Sequence, residues 1–366
     1  MQNKINIGEI CDFSYGESLK EETRIAGKIP VYGSNGIVGF HNKSHTSGAT
    51  IIIGRKGSIG EINWSDDPCF PIDTTYYIEK TKQACDLKWL FYTLLSAGLT
   101  ELNKSAAVPG LNREDAYEQL VPFPSLSEQK RIAVILEKAD KLRRLRRYAL
   151  EMSETFLQTI FLEMFGDVST HQKYKITLLK DVSSKITDGV HFKPDYLSAG
   201  VPFISVKDIT TGKLKFDDCK FISHVDHEKF IKRCKPEIDD VLYTKVGATY
   251  GRPAIVDTEK DFSLYVSVCL IKPIKSIVLP YYLFSALKSL NVKSQADKSV
   301  KGIGVPDLHL DQIQKFLIPM PPIHEQEKFV SLLLNHERIK RRQTESLRQS
   351  EHLFQTLLHR AFTEGI

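Results

Sequence analysis

Val121 to Asp167 reads VPFPSLSEQKRIAVILEKADKLRRLRRYALEMSETFLQTIFLEMFGD, and Ile318 to Glu364 reads IPMPPIHEQEKFVSLLLNHERIKRRQTESLRQSEHLFQTLLHRAFTE. The two stretches align without a gap. Pro122, Pro124, Glu128, Gln129, Leu136, Arg144, Ser153, Glu154, Gln158, Thr159 and Phe165 recur as Pro319, Pro321, Glu325, Gln326, Leu333, Arg341, Ser350, Glu351, Gln355, Thr356 and Phe362. The register extends upstream, where Lys104, Val108-Pro109, Leu111 and Leu120 match Lys301, Val305-Pro306, Leu308 and Leu317. A gapless repeat of this length predicts two equivalent modules and pseudo-two-fold symmetry.

Each copy reads as a long helix. Pro122 and Pro124 favour an extended entry. Ser127 stands where an N-cap belongs, and Glu128 and Gln129 follow in the first turn, where a carboxylate suits the helix dipole. Ile132, Ile135, Leu136, Ala139, Leu142, Leu145, Ala149, Met152, Phe156 and Ile160 then recur at three- and four-residue steps. Nothing breaks the pattern before Gly166, which predicts a helix of about 38 residues, roughly 57 Å long. The second copy carries Phe329, Leu332, Leu333, Ile339, Leu347, Leu353 and Leu357 on its matching face and stops at Gly365. A helix of this length with one apolar stripe needs a partner, and the other copy is the obvious one. Two ordinary core helices are the plainer alternative, although globular helices average nearer 11–12 residues.

Outside the helices lie two blocks rich in Gly, β-branched and aromatic residues. Ala49–Ile53, Thr75–Ile78, Asp240–Tyr243 and Val266–Ile271 read as strands, and short helices are expected at Leu87–Ala97 and Pro280–Leu290. The order is domain, helix, domain, helix. Two compact domains plus two helices suit 366 residues.

Composition narrows the class. Fifty Lys and Arg against 45 Asp and Glu give a net charge of +5, too mild to name a partner. Six cysteines occur singly, at 11, 69, 85, 219, 234 and 269, and read as reduced thiols rather than disulfides or a zinc site. No segment reads as a signal peptide or membrane span, so a cytoplasmic protein is expected. The basic charge is concentrated in Lys138, Lys141, Arg143, Arg144, Arg146 and Arg147 on the first helix and Arg338, Lys340, Arg341 and Arg342 on the second. Antiparallel helices would join these into one belt. A solvated face with i,i+4 pairs is the alternative to a phosphate-binding role.

The blocks also carry Gly-bracketed loops: VYGSNGIVG (31–39) and GRKGSIG (54–60) in the first, ITDGVH (186–191), VPFISVKDI (201–209) and YTKVGATYGR (243–252) in the second. Such turns bring backbone close to a partner, and Arg, Lys, Ser and Thr suit phosphate oxygens and base edges. Catalytic patterns are poor. Gly54–Gly60 lacks the G-K-[ST] ending of a P-loop. Asp66-Asp67-Pro68-Cys69-Phe70 misses the second Pro of an amino-methyltransferase box. Pro194-Asp195 with Asp218-Cys219-Lys220 fits only a permissive nuclease pattern. His224 and His227 are the nearest approach to metal-ligand spacing, and no metal site is expected.

Taken together, the two P-x-P-x-x-x-E-Q helix entries and the order of these loops resemble the specificity subunits of type I restriction-modification systems. The resemblance covers essentially the whole chain. It implies an α+β protein: two mixed α/β target recognition domains at 1–121 and 168–318, and two long antiparallel helices, a coiled-coil-like spacer, at 122–167 and 319–366. It implies a non-catalytic subunit whose domains each read one half of a bipartite, asymmetric site in double-stranded DNA. It also implies docking of two methyltransferase subunits, through which restriction-translocase subunits attach. S-adenosylmethionine, ATP and Mg²⁺ would act in those partners, and no cofactor is expected here. The residues expected at DNA are Tyr32, Ser34, Asn35, Arg55, Lys56 and Ser58 in the first domain, and Thr187, His191, Lys207, Thr244, Lys245, Thr249 and Arg252 in the second. A further stripe, Leu150, Leu157, Phe161, Leu347, Phe354 and Leu358, is expected to dock the methyltransferase. The first block is read as lacking the ITDGVH element. A stand-alone or type IIB-like specificity protein, and a nuclease using Asp195, Asp218 and Lys220, are the competing readings.

Overall fold

A computed structural model of the chain describes residues 4–102, 110–167, 171–300 and 304–364. Lys104, Val108, Pro109, Lys301 and Gly365 of the sequence repeat lie outside the described residues, as does the side chain of Glu154. The chain divides into two compact units, Met1–Tyr148 with Thr344–Ile366, and Ala149–Gln343.

In the first unit β1 (Lys4–Asn6) leads into α1 (Ile7–Ile10). The strands β2 (Ser14–Tyr15), β5 (Thr50–Gly54), β6 (Ile62–Ser65) and β8 (Thr75–Ile78) form an antiparallel sheet in the order β2-β8-β5-β6. A second sheet, β4-β3-β7, joins β3 (Ile29–Gly33) to β4 (Gly36–His41) antiparallel and to β7 (Phe70–Pro71) parallel. Two helices, α2 (Leu87–Ser96) and α3 (Arg113–Tyr117), precede β9 (Leu120–Pro122), which pairs back onto β1. Then α4 (Leu126–Phe165) begins. Its Ile132, Leu136 and Ala139 share one core with Trp89 and Tyr92 of α2 and with Phe354, Leu358 and Phe362.

The second unit opens with the end of α4, where Gly166 takes a left-handed φ of 80° that suits glycine after a helix. A small ladder, β10 (Gly166–Asp167) with β11 (His171–Gln172), follows. The strands β13 (Ser183–Asp188), β16 (Val241–Thr244), β17 (Pro253–Ile255) and β19 (Val268–Pro273) are ordered β13-β19-β16-β17. Beside them β14 (Val201–Ile204) lies between β15 (Lys220–Ile222), antiparallel, and β18 (Ser263–Leu264), parallel. Four helices complete the unit before its last strand: α5 (His224–Ile231), α6 (Pro280–Lys288), α7 (Leu290–Ser299) and α8 (Leu310–Ile313). Strand β20 (Leu317–Pro319) pairs back onto β12 (Ile176–Leu178), and α9 (Ile323–Thr363) starts. Apart from the β10–β11 ladder, which has no counterpart there among the described residues, this is the sheet topology of the first unit.

The helix entry is repeated down to individual bonds. Gln129 is fully buried; its Oε1 accepts from the Asp86 amide at 2.9 Å, and its Nε2 donates to the Pro124 carbonyl at 3.0 Å. Gln326, also fully buried, accepts from the Leu279 amide at 2.9 Å and donates to the Pro321 carbonyl at 3.0 Å. Asp86 and Leu279 are the N-cap residues of α2 and α6. One glutamine thus fastens each long helix to the start of its domain's helix. In α4 the capping role falls on Ser125, whose Oγ faces the Glu128 amide at 3.4 Å, and not on Ser127, which lies one residue inside the helix.

The helix faces correct the sequence expectation. In the first unit Arg143 lies 4.1 Å from the Phe354 ring, Arg146 donates to the Ser346 carbonyl and Arg147 pairs with Glu351, so the two helix segments run antiparallel. In the second, Phe165 and Phe161 each meet the Phe329 ring at 5.4 Å, while Ser153 bonds His336 at 2.6 Å, with the same sense. Phe161, Phe354 and Leu358, expected as a docking stripe, are buried core; Leu150, Leu157 and Leu347 are half-buried. Leu142, Leu145, Met152, Phe156, Leu332, Ile339 and Leu353, expected on the packing face, are exposed. Each helix has apolar residues on more than one side, and periodicity alone cannot say which side receives the domain. Among the described residues, no helix is long and apolar enough to cross a membrane.

Candidate nucleic-acid interface

The Gly-bracketed loops follow β5 and β16, and both are built the same way. Gly57 and Gly60 hold φ of 79° and 72°, Gly247 and Gly251 of 85° and 82°, where any other residue is strained. The Gly60 amide bonds back to the Gly54 carbonyl and the Gly251 amide to the Thr244 carbonyl, each at 2.8 Å. The Leu111 amide reaches the Arg55 carbonyl at 2.9 Å, and the Leu308 amide reaches the Lys245 carbonyl at 2.9 Å. Leu111 and Leu308 match in the sequence repeat, so Arg55 and Lys245 occupy equivalent positions. Ladder register extends the equivalence. Ile53 pairs with Tyr76 and Tyr76 with Tyr15, while Tyr243 pairs with Cys269 and Cys269 with Asp188. Tyr15-Gly16 therefore stands where Asp188-Gly189 stands. The first domain lacks the ITDGVH sequence but has a positional counterpart to it in Ser14-Tyr15-Gly16, with Tyr in place of Asp. Both glycines are required: a Cβ would lie 2.1 Å from the Ile72 carbonyl oxygen at Gly16, and 1.9 Å from that of Leu264 at Gly189.

What fills these equivalent positions differs. In the first domain the Arg55 guanidinium lies 5.2 Å from the exposed Tyr15 ring and 5.8 Å from Tyr76, and donates to the Asp73 carbonyl at 2.6 Å. Arg113, at the start of α3, lies 5.7 Å from the same Tyr15 ring. Two guanidinium groups thus share one aromatic ring, an arrangement suited to phosphate or to base faces. Asn35 and Lys56 are exposed and Ser58 is half-buried in the same loops. Ser34 is buried; its hydroxyl lies within hydrogen-bond distance of both the Lys56 and Thr74 carbonyls, sharing its one proton between them, and ties three turns together. Tyr32 is buried in a small cluster with Ile52 and Cys69. Burial makes Ser34 and Tyr32 supports for the loops and corrects their assignment as contacts.

In the second domain the cation is hidden. Lys245 is 5% exposed and its Nζ lies 3.4 Å from the buried Asp188 carboxylate. The same carboxylate takes His191 at 3.0 Å and the Arg233 guanidinium. Thr244 is fully buried and closes its loop, donating to the Thr249 carbonyl at 2.7 Å and accepting from the Arg252 amide at 2.8 Å. Thr187 is buried as well. Lys245, Thr244 and Thr187 therefore hold the fold, a correction that follows from burial of their polar groups. His191, Arg252 and Lys207 are exposed and Thr249 half-buried. Arg252 donates to the Thr210 carbonyl at 2.8 Å and Lys207 pairs with Asp218 at 3.0 Å. Arg233 and Lys229, which the sequence did not single out, line a cavity of about 410 Å³ with Asp188, His191 and the exposed Phe192. Tyr15, Arg113, Lys229 and Arg233 join the candidates here, and the sequence reading did not single them out. Placing Ser14-Tyr15-Gly16 against Thr187-Asp188-Gly189 is the one signal that points to the first of them.

The Asp218 carboxylate of the nuclease pattern is exposed, and its pairing with Lys207 lowers its pKa. Among the described residues, no group of His, Cys, Asp or Glu is arranged to hold a metal. Five cysteines are buried and Cys85 is half-buried; burial pushes the Cys11, Cys85 and Cys234 thiols up to about 12. Asp140, buried on α4, binds Arg143 at 2.6 Å and Arg144 at 2.7 Å. Much of the first basic cluster is therefore committed to ion pairs within its unit.

The family model described as "Type I restriction modification DNA specificity domain" matches residues 2–151 and 172–349. The chain is 25% identical over 346 residues to the "Type I restriction enzyme EcoBI specificity subunit" of Escherichia coli, spanning 85% of this chain and 72% of that one. It is 22% identical over 357 residues to the MjaVIII specificity subunit of Methanocaldococcus jannaschii, spanning 92% and 80%. In fold it resembles the crystal structure of an S subunit from M. genitalium, with a TM-score of 0.65 at 18% identity over 100% of this chain and 96% of that one. The chain belongs to the family of type I restriction-modification specificity subunits, the DNA-specificity component rather than a catalytic one.

Proposed function

We propose that each domain reads one half of a bipartite, asymmetric site in double-stranded DNA, the first through Arg55, Arg113, Tyr15, Asn35 and Lys56, the second through His191, Arg233, Lys229, Arg252 and Lys207. One observation carries this reading. Two domains of one topology, fastened to their helices by the same buried glutamine, present different side chains at equivalent loop positions. A shared scaffold with unlike reading heads suits an asymmetric site, where identical heads would suit a palindrome. The helices act as the spacer. Their exposed Leu142, Leu145, Met152 and Phe156, with Leu332, Ile339 and Leu353, dock two methyltransferase subunits, and restriction-translocase subunits attach through these. S-adenosylmethionine, ATP and Mg²⁺ act in those partners. Methylome sequencing of cells with and without the gene tests the reading. A two-part methylated motif with a fixed gap should depend on the gene; a single undivided motif, or no dependence, would refute it.

A further inference from the structure

The equivalence of the two units exposes a site that only one of them has. In the first unit the space between β6, α2 and the long helices is filled. Ile51 pairs with Ile78 and with Trp64; Val241 pairs with Ile271 and with Ile255. Trp64 therefore corresponds to Ile255. The shared glutamine joint sets Asp86 against Leu279, so Lys88, Phe91 and Tyr92 correspond to Tyr281, Phe284 and Ser285. The sequence repeat sets Phe354 against Leu157 and Glu137 against Leu334.

In the first unit these side chains close on one another. Lys88 sits 3.7 Å above the Trp64 ring and pairs with Asp66 and Glu137. Trp64 meets Phe91 at 5.7 Å, Tyr92 meets Phe354 at 6.1 Å, and Tyr92 and Phe354 are buried. In the second unit Trp becomes Ile, Tyr becomes Ser and Phe becomes Leu. Three large aromatic side chains are replaced by smaller ones, while Lys88 gives way to Tyr281 and Glu137 to Leu334 in the same lining. The result is a cavity of about 210 Å³ whose lining includes Leu157, Ile255, Phe284 and Ser285. Its rim carries Lys213, Lys288, Lys340 and Arg341 against Asp257 and Glu337, an excess of positive charge.

We propose that this cavity binds a free small molecule: a planar aromatic ring of about indole size that carries an anionic group. The ring takes the place of the indole and phenol that fill the first unit, making dispersion contact with Leu157, Ile255 and Phe284 on the apolar part of the lining. The anion faces the basic rim. The test is calorimetric titration of the full-length chain with indole-3-acetate, indole and tryptamine. Saturable binding at one site per chain is expected, strongest for indole-3-acetate and weakest for tryptamine. The double variant I255W/S285Y restores two of the first unit's three aromatic fillers and should weaken indole-3-acetate by at least about tenfold. Ser285→Tyr alone should do so in part, and serves if the double variant does not fold by circular dichroism. No saturable binding to the wild-type chain, undiminished binding to a folded filled variant, or tryptamine binding as tightly as indole-3-acetate would overturn the proposal.

Discussion

The two units share a strand order, a helix joint and a loop geometry, yet they differ where side chains matter. At one end of each sheet a cation follows the strand and meets a residue before a glycine. In the first unit that pair is Arg55 over an exposed Tyr15; in the second it is a buried Lys245 against a buried Asp188. At the helix side the first unit packs Trp64, Tyr92 and Phe354 where the second keeps Ile255, Ser285 and Leu157. The lesson is that backbone bonds carry the repeat and side chains carry the difference. Gln129 and Gln326 are kept because each satisfies a backbone amide that would otherwise be buried without a partner. Tyr15 and Asp188 diverge because either can accompany a cation.

The largest contrast is expected between Phe354 and Leu157. Phe354→Ala empties a filled core and should cost its unit about 3–5 kcal/mol. Leu157→Ala trims a half-buried side chain at the rim of an existing cavity and should cost roughly 1–2 kcal/mol. Hydrogen exchange, read separately for each unit, measures both, and equal losses would break the assignment of filled and hollow sites.

Asp188→Ala comes next. It leaves the Lys245 ammonium buried without its main partner, and Asp307 at 3.8 Å compensates only in part. A loss of about 3 kcal/mol is expected. Tyr15→Ala removes an exposed ring from the half-buried Arg55 guanidinium and should cost about 0.5–1 kcal/mol. Comparable losses in the two domains would mean that Lys245 is not held as described.

The joint should show the opposite behaviour, symmetry. Gln129→Ala and Gln326→Ala each strand a buried amide and should each destabilise by about 1–3 kcal/mol, with protection lost first at the start of α2 and of α6. A large loss for one and none for the other would end the claim of a common joint. The smallest stability effect belongs to the exposed helix faces. Leu145→Asp with Leu353→Asp should change stability by no more than about 0.5 kcal/mol while abolishing co-elution with the methyltransferase. Retained co-elution would move the docking surface elsewhere.

Much of this was legible in the sequence. The long helices were, because a gapless repeat and an uninterrupted apolar period admit few other structures; they run 40 and 41 residues. The strands at Thr75–Ile78 and near Val241 were too. The shared sheet topology was not, because strands repeat through register and spacing rather than residue identity, and Tyr15-Gly16 bears little likeness to Asp188-Gly189. The role of Gln129 was hidden because its partner, the Asp86 amide, is backbone and leaves no mark in sequence. Loop residues were located but not sorted: Lys56 and Lys245 look alike in a chain, and burial alone separates an exposed cation from one that neutralises a carboxylate.

The central claim is that two separable reading heads sit on one repeated joint. It is tested most directly by replacing residues 1–120 with the first domain of another family member, keeping Gln129 and both long helices, and sequencing the methylated motif. The account predicts that one half-site changes while the other half-site and the gap stay as they were. A chimera that folds and methylates but alters both half-sites, or alters the gap, would contradict it.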